Sequence, residues 1–347
     1  MKRLLLVLAA ITLAFSASAA TPKKKAVAKA PAKKIAVQKA VKKPAVSAPV
    51  ETAHRKTPYV GAISVDAATG KVLFEDHADA EAYPASVTKL MTLLLVMEDV
   101  KAGKYGYDDK VEATADAYKS EPSWVGIKVG EKMSVRDLCT ALMVESANDA
   151  AIVLGVHSAG SFDAFIARMN ARAAELGMKN TKYYNPNGLP PNAGKRYPWK
   201  SFNVSTARDQ AVLARALVKM PEVLALTSVK TCDLIKTADG FRVAVTRRVN
   251  EPTVATSPAN GERIIKQMRN HNNVMVKDKE KIFNPDGTEA VDGLKTGYID
   301  AGGSSIVLTG KRKGKRAIVV VLGSSSSKVR DEQVQHLMND ALGSLAW

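Results

Sequence analysis

A serine and a lysine three residues apart, Ser86 and Lys89, fall on one face of a helix about one turn from each other, within hydrogen-bonding reach. Serine alone is a poor nucleophile and needs an adjacent base. Lys89 has the surroundings of one, because Leu90, Met91 and the run Leu93 to Met97 disfavour its ammonium form and push its pKa down. Pro84 and Ala85 set Ser86 in the first turn, where backbone N–H groups can stabilise developing negative charge. A second copy of the spacing, Ser325-Ser326-Ser327-Lys328, lies in a serine-rich polar stretch that keeps its lysine hydrated.

Two further clusters extend this chemistry. Ser146-Ala147-Asn148 sits between two helical patterns, where it can turn the chain and point a hydroxyl and an amide into a cleft. The plainer alternative is an ordinary cap for the helix from Asp149. Ser201-Phe202-Asn203 repeats the pattern inside a long loop and is the weaker candidate. Lys295-Thr296-Gly297 occurs once, and a lysine and hydroxyl on a strand edge, beside a glycine that admits a substrate backbone, suit a carboxylate. The alternative there is a tight turn entering the next strand. The order of the three clusters, separated by 60 and then 149 residues, is far more specific than any one of them.

With these residues in that order, the sequence resembles the serine-type D-alanyl-D-alanine peptidases, the low-molecular-mass penicillin-binding proteins of peptidase family S11. The likeness runs over roughly residues 58–325 and includes Pro84 to Thr92, Ser146 to Ala150, Asn185-Pro186-Asn187-Gly188-Leu189 and Ser205 to Asp209. It implies an α/β fold of the penicilloyl-serine transferase (DD-peptidase/β-lactamase-like) type, an antiparallel sheet of five strands flanked by helices with a helical insertion. It implies Ser86 as the acylated nucleophile, Lys89 as its base, and Ser146 with Asn148 as proton relay and substrate amide contact. Lys295 and Thr296, beside Gly297, would hold the substrate carboxylate, and the backbone N–H groups of Ser86 and Tyr298 would form the oxyanion hole. Peptidoglycan peptides and β-lactam antibiotics are the implied partners.

The elements that must position these residues can be read from pattern. Tyr59 to Asp66 and Lys71 to Glu75 flank a polar turn and read as a hairpin. Ala85 to Val100, apolar nearly all round, reads as a buried helix. Residues 101–230 read as mainly helical, with helices over Ser134 to Val144, Asp149 to Val156, Phe162 to Leu176 and Thr206 to Leu217. Between the last two lies a long loop, Asn180 to Asn203, whose Tyr183, Tyr184, Tyr197 and Trp199 are expected to line a cleft. Strand patterns return at Arg242 to Val249, Ser304 to Lys311 and Arg316 to Leu322, and an amphipathic helix, Val329 to Leu345, is expected to pack on the sheet. The pattern alone gives an α/β arrangement with a mainly antiparallel sheet and a helical insertion.

Charge is distributed unevenly. Of 51 basic and 34 acidic residues, 13 basic and one acidic fall in residues 1–57, so most of the net charge of +17 belongs to the N-terminus. Residues 1–19 read as a signal peptide: Lys2 and Arg3, then an apolar run from Leu4 to Phe15, then Ala17-Ser18-Ala19 as a cleavage pattern. That implies export to a periplasmic or other extracytoplasmic location. Residues 20–57, rich in lysine, alanine and proline, read as a disordered tether with too little apolar surface to order. This arm is either a spacer or an electrostatic contact for an anionic wall or membrane surface. The catalytic domain is expected over 58–347, with its helical insertion at about 101–230.

Cys139 and Cys232 cannot staple a scaffold, and Cys139 reads as a buried thiol. The five histidines show no metal-ligand spacing, so no metal or cofactor is expected, and no nucleic-acid partner. A class A β-lactamase needs a glutamate for deacylation in a Glu-x-x-Leu-Asn stretch, and none occurs here. A non-catalytic wall-binding protein would show a broken motif, and all three are intact. Within the family, 50 residues follow Gly297, room for two strands and a closing helix. That compact layout is similar to the penicillin-binding protein 7 type, the D-alanyl-D-alanine endopeptidases, with a carboxypeptidase as the alternative.

Overall fold

The computed structural model describes residues 57–115, 117, 123–191 and 201–346. The expected signal peptide, the arm up to residue 56, and Tyr197 and Trp199 lie outside the described residues.

In chain order the elements are β1 Gly61–Asp66, β2 Val72–Asp76, α1 Lys89–Lys101, β3 Lys110–Glu112, β4 Lys132–Ser134, α2 Val135–Val144, α3 Asn148–Ala159, α4 Phe162–Glu175, α5 Ala207–Leu217 and α6 Pro221–Thr227. Then come β5 Val229–Lys236, β6 Phe241–Arg248, β7 Arg263–Arg269, α7 Asn273–Val276, β8 Val291–Ile299, β9 Gly303–Arg312, β10 Lys315–Ser324 and α8 Ser327–Leu345. The main sheet has the order β2-β1-β10-β9-β8, with every neighbouring pair antiparallel. The five-stranded antiparallel sheet flanked by helices is the α/β arrangement expected from the sequence.

Alternation along β10 explains the layering. Ile318, Val320 and Leu322 join the core built on α1 and α5, while Ala317, Val319 and Val321 join the one built on α8. A strand covered on both faces reads as a continuous apolar run, as Ala317 to Leu322 does. Helix α1 is enclosed as well, with Leu90 to Met97 all buried. A lysine at the head of that helix therefore starts in a dry environment.

Strands β1, β2, β9 and β10 and most helices stand where the pattern placed them, the structure adds β8 as the edge strand in place of the alternative turn at Lys295-Thr296-Gly297, and α8 packs on β9 and β10. Its start is two residues earlier than the apolar spacing indicated, because the Ser326 side chain accepts from Val329 N and caps it. A second antiparallel sheet, β6-β5-β7, was not separated by pattern. Strand β5 is buried on both faces and lacks alternation, and β7, Arg-Ile-Ile-Lys-Gln-Met-Arg, is exposed except at Met268. The stretch read as mainly helical also holds the short β3–β4 pair. Cys139 and Cys232 are buried free thiols whose pKa burial raises.

Candidate active site

Ser86 lies in a single 3-10 turn, Ala85–Thr88, that leads directly into α1. Ala85 carries the turn at φ +48°, a conformation that is costly for a residue with a Cβ. Two glycines let other segments close on it. A Cβ on Gly188, at φ +84°, would stand 1.8 Å from the Ala85 carbonyl oxygen. A Cβ on Gly297 would stand 2.6 Å from the Pro84 carbonyl oxygen and 3.0 Å from Ser86 N, so the edge of β8 runs directly against the start of the helix.

Lys89 is fully buried, and its Nζ meets three oxygens: Ser86 Oγ at 2.8 Å, Asn148 Oδ1 at 2.8 Å and the Asn187 carbonyl at 2.7 Å. Burial first, then the charge of Lys295, hold its pKa well below the usual lysine value, with Asp149 pulling the other way. A neutral amine has two N–H bonds and one lone pair. Asn148 Oδ1 and the Asn187 carbonyl can only accept, so they take the two N–H bonds and leave the lone pair facing the Ser86 hydroxyl. That is the arrangement in which an amine removes a proton from serine.

Asn148 is the first residue of α3, with Ala147 before it and no side-chain cap, so the cap alternative fails at this position. The amide is directed at Lys89 instead. Ser146 holds φ +60° between α2 and α3, and the turn is fixed from outside: Asn148 N donates to the Ser123 carbonyl at 2.8 Å, and the buried Glu145 carboxylate pairs with Lys266 on β7.

The opposite wall is a strand whose pairing with β9 runs unbroken from Gly293 to Ile299, past a register shift between Val291 and Gly293. Lys295 and Thr296 are buried on β8, which is the edge of the main sheet, and Lys295 Nζ donates to the Thr296 carbonyl at 3.0 Å. Burial and then the neighbouring Arg330 lower the Lys295 pKa to about 7. Tyr298 is exposed, and its hydroxyl donates to Asp300. Ser86, Ser146, Asn148, Thr296, Gly297 and Tyr298 line one cleft of about 340 Å³, above the two buried lysines. His271 and Arg330 line it too, and both were absent from the sequence reading. Burial of the His271 ring, then the charges of Lys295 and Lys89, push its pKa down to about 4.

Other expectations resolve differently. Tyr183 is fully buried in the core and does not line the cleft, because the backbone pairing of Lys182 with Val204 and the bonds from Asn170 draw it inward. Tyr184 is half-buried against the same core. Asn203, from the weaker serine-x-asparagine copy, is a structural anchor. Its Oδ1 accepts from Tyr184 N and Asn185 N, and its Nδ2 donates to Thr88 Oγ1 and the Asn185 carbonyl. Asn185 Oδ1 in turn accepts from Gly188 N at 2.6 Å. These bonds aim the Asn187 carbonyl at Lys89 and the Pro186 carbonyl at Thr92. The Asn-Pro-Asn-Gly-Leu stretch was visible as a family likeness, but nothing in its spacing tells which helix its carbonyls reach. In the second Ser-x-x-Lys copy, Lys328 is exposed and lies beside Glu332.

The fold and this serine–lysine cleft define the class, and comparison with known proteins narrows it. The family model for D-alanyl-D-alanine carboxypeptidase, peptidase S11, matches residues 48–251, and the chain belongs to that family. D-alanyl-D-alanine carboxypeptidase DacF of Bacillus subtilis is 30% identical over 280 residues, which cover 81% of this chain and 61% of that protein. The D-alanyl-D-alanine endopeptidase of Pseudomonas aeruginosa is 36% identical over 158 residues, 45% of this chain and 46% of the other. The crystal structure of DacD from Francisella tularensis superposes with a TM-score of 0.69 at 28% identity, covering 85% of this chain and 73% of that one. Penicillin-binding protein D2 of Listeria monocytogenes, in its cefotaxime-bound form, gives 0.61 at 28% identity over 83% and 98% of the two chains. The chain spans about three fifths of the length of the carboxypeptidase relatives it matches.

Proposed function

We propose that this protein is a serine DD-peptidase that cleaves peptidoglycan stem peptides through an acyl-enzyme on Ser86. The observation that carries the reading is the Lys89 amine, dry and 2.8 Å from the Ser86 hydroxyl, with its other hydrogen bonds taken by acceptors. In this reading Lys89 removes the Ser86 proton as Oγ attacks the peptide carbonyl. The oxyanion forms against the backbone N–H groups of Ser86 and Tyr298. The proton returns to the leaving amine through Ser146, and water then releases the acyl group. An extended peptide adding along the free edge of β8 would set its carbonyl at Ser86 and its carboxylate at Lys295 and Thr296. A β-lactam acylates the same serine. The supporting comparison is the cefotaxime-bound Listeria protein, together with the carboxypeptidases.

Two bonds are open to this chemistry. The relatives that match most of the chain are carboxypeptidases, which favours release of terminal D-alanine. The Pseudomonas endopeptidase, at higher identity over a shorter span, favours cleavage of cross-bridges. Export by the N-terminal signal, with the lysine-rich arm as spacer or surface contact, belongs to the same proposal. Treating the protein with a penicillin and locating the adduct by mass spectrometry tests the mechanism, and an adduct away from Ser86 overturns it. Purified protein given cross-linked muropeptide dimers and monomeric pentapeptide then separates the two specificities by which is consumed first.

A further inference from the structure

Behind the Ser146 turn, one carboxylate gathers a whole segment of the cleft wall. Asp149, the second residue of α3, is buried, and its Oδ1 accepts from Val125 N at 3.2 Å and from its neighbour Ala150 N at 2.9 Å. Its Oδ2 accepts from Gly126 N at 2.9 Å and Ile127 N at 3.2 Å. Three consecutive backbone N–H groups converging on one anion form a concave donor nest, and Gly126 at φ +81° supplies the reversed curvature this needs. Two residues upstream, Ser123 lines the cleft, and its carbonyl receives Asn148 N. The segment therefore meets the first turn of α3 twice, once through each of two adjacent residues.

We infer that Asp149 is a positioning residue of the active site, holding the wall at 123–127 in register with the Ser146–Asn148 turn. The inference rests on the acyl-transfer reading above. Helix-dipole logic explains an acid in the first turn, but a solvent-facing acid would satisfy that. This one is withdrawn from water and committed to a loop, so its removal strands three amide donors and releases Ser123 from the cleft rim. Burial raises the pKa of Asp149 itself, against the four backbone hydrogen bonds that lower it, and in its ionised form it opposes the effects of burial and of Lys295 on Lys89. Also lining this cleft are Arg330, a permanent charge at the start of α8, and His271, after β7, whose pKa of about 4 leaves it neutral near pH 7. Asp149 thus acts on Ser86 by two separable routes, the placement of a wall and a charge behind the base.

The test measures acylation by a fluorescent penicillin against pH in the wild-type protein, Asp149→Asn and Gly126→Ala, with hydrogen exchange on each. Asp149→Asn removes the charge that favours the Lys89 ammonium, so the rise of acylation with pH should move to lower pH. Its rate at the wild-type optimum should fall about tenfold. Gly126→Ala meets no neighbouring atom but is strained at positive φ, so it loosens the nest and leaves the charge. It should slow acylation without moving the pH midpoint, and it still tests the wall if Asp149→Asn fails to fold. In both variants exchange should quicken at amides 125–127. A wild-type protein that no penicillin acylates refutes the acyl-transfer reading. Wild-type acylation with an unmoved midpoint in Asp149→Asn, or with exchange at 125–127 unchanged in either variant, overturns the role of Asp149 and leaves that reading standing.

Discussion

The two walls of the cleft each bury a lysine, and they do so by different means. On the strand wall, Lys295 lies in the continuously paired part of β8 and donates to the neighbouring Thr296 carbonyl. On the helical wall, Lys89 is held by oxygens from residues 59 and 98 positions away in the chain, between turns at Ala85 and Ser146 that both have positive φ. A strand edge inherits its geometry from the sheet. A turn in an unfavourable conformation keeps its geometry only while distant groups hold it. The strand wall should therefore tolerate change better than the helical wall, and substitutions can test that difference.

The largest effect is expected at the nucleophile. Ser86→Ala should abolish penicillin labelling and peptide hydrolysis in a protein whose melting curve is unchanged, and residual covalent adduct would remove Ser86 from its proposed role. Next comes Lys89→Arg. A guanidinium stays charged at every accessible pH and cannot take the serine proton, so acylation should fall by roughly 10²–10⁴. A normal rate in that variant would assign the base to another group and erase the contrast between the lysines.

The two glycines that pack on the Ser86 turn compare the walls directly. Gly188→Ala adds strain at φ +84° to a contact of 1.8 Å with the Ala85 carbonyl, at an expected cost of roughly 2–5 kcal/mol in urea unfolding. Gly297→Ala meets the Pro84 carbonyl at 2.6 Å without the backbone strain, so its cost should be smaller, about 1–3 kcal/mol. Equal losses would mean that the strand wall is as tightly determined as the helical one.

The same contrast explains how much was legible beforehand. Strands β1, β9 and β10, helix α1 and the three clusters could be read from the chain because hydrophobic period and short spacing are local properties. Lys89 as a buried amine followed from Leu90 to Met97 alone. The partners that make it chemically useful did not. Asn187 stood out only within a family-like stretch and Asn203 only as a weaker Ser-x-Asn copy, and their orientation depends on bonds to Lys89 and Thr88, about a hundred residues earlier in the chain. Tyr183 was misplaced for the same reason, since an aromatic residue in a polar loop carries no sign of whether it turns inward. Strand β7 was hidden by its charged residues, although one of them, Lys266, reaches the Glu145 carboxylate beside Ser146.

The smallest expected effect is a pH dependence belonging to the strand wall. With its pKa lowered from 10.5 to about 7, Lys295 is an ammonium below that pH and a neutral amine above it. If it holds the substrate carboxylate, affinity for a carboxylate ligand should be highest below pH 7 and fall as pH rises. In the proposed mechanism acylation depends on Lys89, and its rise with pH would obscure this, so binding is best measured in the Ser86→Ala background. D-alanyl-D-alanine should bind more weakly at pH 8 than at pH 6, by at most about tenfold, while its C-terminal amide should bind equally at both. Arg330, a permanent charge beside Lys295, limits the size of the effect, because it supports the carboxylate at either pH. Lys295→Arg should flatten the profile by keeping the charge. Identical curves for acid and amide would show that Lys295 does not read the carboxylate, and the two buried lysines would then differ in more than the walls that hold them.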